Sequence, residues 1–94
     1  MDNIDKIFQA MQTASGFSKE QILQTNRKRP LPAIRYMIGD KLMAMGYSSS
    51  CASKILNIDH ATLLHGRKIM KEVTARNGWK QELDILTKFK ELCR

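Results

Sequence analysis

The stretch NIDHATLLHG, residues 57–66, decides how the rest of the chain is read. Asn57 falls where a helical segment ends, a place where asparagine tolerates the left-handed backbone that turns a chain. Asp59 suits a helix N-cap, because its carboxylate can accept the unpaired N–H groups of the following turn. His60 and Thr62 add little to a cap, and neither is a strong helix former. Two explanations compete for them. Either a well-capped helix carries them on its solvent side without consequence, or this first turn is a contact surface.

Reading outward in both directions yields two helices joined by that turn. Upstream, YSSSCASKIL (47–56) is a polar turn in which any of Ser48 to Ser50 can cap a short helix, with Ala52, Ile55 and Leu56 on its apolar side. Downstream, a long helix is predicted over about residues 59–75. Its buried stripe is Leu63, Gly66, Met70 and Val73, spaced by three and four. The pair predicts a helix-turn-helix over about 48–75. That motif puts the first turn of its second helix into the major groove of DNA, with the first helix lying across the backbone.

The remaining segments are helical too. Ile4, Ile7, Phe8 and Met11 draw one apolar stripe over residues 3–14, which Gly16 ends. Ser18 and Gln21 fit a capping box for a short second helix, with Phe17 placed as a staple and Ile22 and Leu23 facing inward. TNRKRPLPAIR (25–35) is a basic loop whose prolines hold off helix until their rings sit in a first turn. A third helix over about 32–45 then carries Ile34, Met37, Ile38, Leu42 and Met45, with Gly46 as its stop. Asn77-Gly78 breaks the chain before a closing helix, 79–93, with Trp79, Leu83, Leu86, Phe89 and Leu92 or Cys93 on one side. The six methionines keep core spacing and suit gap-filling. No strand pattern occurs. The expectation is an all-α fold of about six helices, one domain over 1–94 with the basic loop at 26–32.

Charge adds a direction. The net +7 sits entirely in residues 26–78, where ten Lys and Arg side chains face only Asp40, Asp59 and Glu72. A localised basic block is the footprint of a polyanion binder, although charge that merely maintains solubility would look the same. In a groove, the His60 imidazole and Thr62 hydroxyl can donate to base acceptors. The Ala61 methyl can touch a thymine methyl, and Asp59 can accept from cytosine.

Other chemistry finds no support. No run of about 18 apolar residues is present for a membrane span. MDNIDKIFQAM lacks the basic segment and long apolar stretch of a secretion signal, so a cytoplasmic location with Cys51 and Cys93 reduced is expected. His60 and His65 are five apart, off the spacing of four by which one helix face binds metal, and His65 is expected to pack against a neighbouring helix. No nucleophile–base pair stands out and no GxxxxGK[ST] loop occurs. Neither enzyme activity, cofactor, metal nor small-molecule substrate is expected.

IDHATLLHG (58–66) resembles the signature of the C-terminal DNA-binding domain of the bacterial replication initiator DnaA, which runs Asp-His-Ser/Thr/Ala-Thr-Val-hydrophobic-His-Ala. The match is at Asp59, His60, Thr62 and His65, with conservative changes at Leu63 and Gly66. The likeness extends over nearly the whole chain. It takes in the two N-terminal helices, the Lys/Arg-rich loop at Arg27-Lys28-Arg29, AIRYM (33–37) where the family starts a helix with an Arg-Gln-Met-like segment, and the closing helix. It implies a Trp-repressor-like helical fold in which Asp59, His60 and Ala61 read the major groove beside Thr62. By the same resemblance Arg27 enters the minor groove, and Arg35 touches the phosphate backbone next to Tyr36. The chain departs from the family at Ala61, where Thr or Ser is commoner, at Tyr36 in place of a glutamine, and in a shorter turn before Asp59.

The function expected is sequence-specific binding of double-stranded DNA by a monomer, of the origin-box type but without an ATPase module. Lys54, Lys68 and Arg76 are phosphate contacts or solvated surface. Two alternatives remain: transcriptional control through the same contacts, or a helical interaction module whose basic middle meets an acidic protein partner.

Overall fold

A computed structural model of the chain describes residues 3–24, 30–76 and 79–93. These form six helices and no strand: α1 (Asn3–Ser15), α2 (Lys19–Leu23), α3 (Leu31–Ala44), α4 (Ser49–Ile55), α5 (His60–Arg76) and α6 (Lys80–Leu92). The all-α expectation holds, and the boundaries move by only a residue or so. Local chemistry explains why. The Ser18 hydroxyl accepts from the Gln21 N–H at 3.2 Å while the Gln21 side chain accepts from the Ser18 N–H at 2.9 Å, which closes the expected capping box. Ser48 is the one of its three serines that caps α4, accepting from the Cys51 N–H at 3.1 Å. Gly46, at φ 104°, takes the backbone past the end of α3 in a conformation closed to most side chains.

α3 is the axis of the molecule and packs against every other helix. It is therefore buried on nearly all sides, with Ile34, Ile38 and Leu42 fully enclosed. α1 contributes Phe8 and Met11 to the core, α2 contributes Ile22 and α5 contributes Leu63. Each such side chain adds about 1.5–3 kcal/mol of apolar burial.

Three sequence expectations are corrected. α6 turns inward not along Leu83 and Leu86, which are half-buried, but along Glu82, Ile85 and Phe89. Trp79 stands ahead of that helix with a left-handed backbone (φ 53°) and is exposed, as is Leu92. Met45, expected inside, lies just past the end of α3 and is 41% exposed. The Asn77-Gly78 break and the Val73 side chain lie outside the described residues. Among those residues no helix is long and apolar enough to cross a membrane.

Candidate nucleic-acid interface

The turn between α4 and α5 is built from a few fixed points. Leu56, with no exposed surface, anchors the end of α4 in the core. Asn57 adopts φ 57°, the left-handed conformation expected of it, and the Ile58 N–H donates back to the Ser53 carbonyl at 3.0 Å. The chain is then aimed so that the Asp59 carbonyl accepts the first helical bond of α5, from the Leu63 N–H at 3.0 Å. Asp59 thus occupies the N-cap position. Leu63 is the first side chain of α5 to turn inward, which leaves Asp59, His60, Ala61 and Thr62 together on the surface.

His60 is tied as well as exposed. Its Nε2 lies 2.6 Å from the Oγ of Ser49, so a hydrogen bond joins the first residue of α5 to the first residue of α4. With Nε2 engaged, Nδ1 is the ring nitrogen left to meet a ligand. Ser49 had no distinguishing mark in the sequence beyond being one of three serines. Only the helix-turn-helix brings two helix starts eleven residues apart side by side.

α5 is pressed onto α3 by two glycines. A Cβ on Gly66 would strike the ring of Tyr36, and a Cβ on Gly39 would strike Leu63. The crossing is closed at its edge by Arg67, whose Nε donates to Asp40 Oδ1 at 2.9 Å. The close approach leaves an open cleft of about 550 Å³ between the starts of the two helices, with Pro32, Arg35 and Tyr36 on one wall and Ile58, Asp59 and Thr62 on the other.

Two residues expected to touch phosphate have structural occupations. Arg35 is 5% exposed; its Nε donates to the Ile22 carbonyl at 2.6 Å and its Nη2 to the Gln24 carbonyl. It clamps the end of α2 to α3, and burial lowers its pKa from the ordinary guanidinium value, with Tyr36 opposing the shift. Two of the five guanidinium N–H donors are thus committed to backbone carbonyls, which gives Arg35 a structural role. Tyr36 is half-buried, its ring laid on Gly66. His65 is exposed rather than packed against a neighbour, because Leu63, Gly66 and Met70 take the inward positions of α5.

Lys54 on α4 and Lys68 and Lys71 on α5 are exposed. They carry the basic character of this face among the described residues, since Arg67 is paired and Arg35 buried. Arg27, Lys28 and Arg29, the expected minor-groove loop, and the Arg76 side chain lie outside those residues. Comparison of the chain with family models, with curated proteins and with solved structures returns no match.

Proposed function

We propose that this domain binds double-stranded DNA with sequence preference, the first turn of α5 entering the major groove in the manner of the DnaA C-terminal domain that the sequence resembles. One observation carries the reading: a capped α4, a left-handed Asn57 and an α5 whose N-cap and first three residues (59–62) all stand exposed. Asp59, His60, Ala61 and Thr62 offer an acceptor, an imidazole nitrogen, a methyl and a hydroxyl, four kinds of group that discriminate base edges. Lys54 and Lys68 serve as phosphate contacts, and Arg27–Arg29, on sequence alone, as the minor-groove element. The domain acts as a cytoplasmic monomer without catalysis, in origin recognition or in transcriptional control through the same contacts.

Fluorescence anisotropy on an initiator-type box and a scrambled duplex, across a salt series, tests this. His60→Ala removes preference for the box while leaving scrambled binding intact. Lys68→Ala weakens both duplexes and flattens the log–log salt dependence by about one unit, as loss of one phosphate contact requires. Equal binding of both duplexes by the unmodified protein, followed by failure to select any preferred sequence from random DNA, would sink the reading.

A further inference from the structure

Three hollows adjoin one another along α3, away from the first turn of α5. The first, of about 340 Å³, lies between α5 and α6 over Met37, Met70 and Leu86. The second, of about 180 Å³, shares Met37 and Leu86 with it and continues past Ala44 and Phe89. The third, of about 280 Å³, shares Lys41 and Cys93 with the second and ends at Met45 and Leu92. Together they make one groove that follows α3 from Met37 to Met45, about 12 Å at the rise of a helix. At its far end Met45 and Leu92 are 41% and 50% exposed, a cost to a soluble surface that a partner would remove.

Among the described residues the rim is mostly cationic. Lys71 and Lys90 flank the first hollow, Lys41 the second and third, and Lys6 the end. Asp40 is the one acid in the lining among the described residues, and its ion pair with Arg67 already neutralises it. We propose that this groove docks an amphipathic helix of a partner protein, with apolar residues on one face and Glu or Asp along the flanks. An apolar floor with cationic edges is the complement of such a helix, and methionines adapt readily to its side chains. A phosphate backbone would gain nothing from the apolar floor, and a second copy of a chain of net charge +7 would be repelled. Met70 lies ten residues beyond His60, about 15 Å along α5. The inference therefore stands whether or not the DNA reading does.

The test uses the full chain with ¹³C-labelled methionine methyls. The probe is a capped helical peptide of about 15 residues with Leu at i, i+3, i+4 and i+7 and Glu on both flanks, run beside the same peptide with Lys for every Glu. Met37, Met45 and Met70 should shift saturably with the acidic peptide. Met11, enclosed in the core on α1, and Met43 should stay still. The double variant Lys71→Glu/Lys90→Glu should weaken the acidic peptide about tenfold without altering thermal unfolding. Three results overturn the proposal: no shift at millimolar peptide, equal shifts from both peptides, or movement of the groove methyls with protein concentration alone.

Discussion

α3 and α5 meet at a crossing so close that each supplies a glycine to it, yet away from that point they are opposites. α3 buries Leu31, Ala33, Ile34, Arg35, Met37, Ile38, Gly39 and Leu42, positions spread around its whole circumference. Among its described side chains α5 buries Leu63, Gly66 and Met70, a single edge, and exposes most of the others. The difference assigns meaning to charge. On α3 the Arg35 guanidinium is drawn into the scaffold while Lys41 stays half-buried at the groove, whereas Lys68 and Lys71 on α5 stay in solvent. Residue type alone does not separate a structural arginine from a ligand-binding one; what packs against its own position does.

The largest effect should come from breaking the crossing itself. Leu63→Ala removes a fully buried side chain and should cost about 2–5 kcal/mol in chemical denaturation. Gly39→Ala gains helix propensity but drives its methyl into Leu63, for a net loss of about 1–3 kcal/mol. In the Leu63→Ala background the clash with Leu63 is gone and only Leu56 Cδ1, at 3.2 Å, still crowds that methyl, so most of the Gly39→Ala penalty should disappear. Additive costs for the two changes would show that the helices do not touch there.

Next in size is Arg35→Met, which strips the Ile22 and Gln24 carbonyls of their donor. A loss of about 2 kcal/mol is expected. The salt dependence of DNA binding should keep its slope, unlike that of Lys68→Ala; a slope reduced by about one would return Arg35 to the phosphate backbone. On the exposed side of α5, His60→Ala and Thr62→Ala should leave stability within about 0.5 kcal/mol of the unmodified chain, whatever they do to DNA preference.

The smallest effect concerns the thiols. Burial pushes the Cys93 pKa up, against the pull of Lys41, while Cys51 is exposed on α4. The folded chain therefore holds the Cys93 proton to higher pH than the unfolded chain does. Its contribution to stability is full below the ordinary thiol range and declines as pH rises through it. Iodoacetamide at mildly alkaline pH should modify Cys51 first; faster loss of Cys93 would contradict the packing at the end of α6.

Much of this was legible from residues 18–24 and 48–66, because their signals are local. Ser18, Ser48 and Asn57 act on backbone within a few residues of themselves. What escaped was set by partners far along the chain. Arg35 reads as a surface cation until α2 brings two carbonyls to it from 11 and 13 residues away. α6 holds two interleaved apolar stripes, and the choice of Ile85 over Leu83 was made by the side from which α1 and α3 approach. His65 could not be placed without knowing that Gly66 takes the position facing Tyr36.

Tyr36 has one consequence of a different kind. Its ring is a wall of the cleft beside Asp59 and also of the first hollow of the groove over Met37. A ring with a space on either side has a single position to share between them, and Gly66 fixes how far it can retreat. Any occupant that prefers one setting of that ring alters the affinity of the opposite space, and thermodynamics makes the influence equal in both directions.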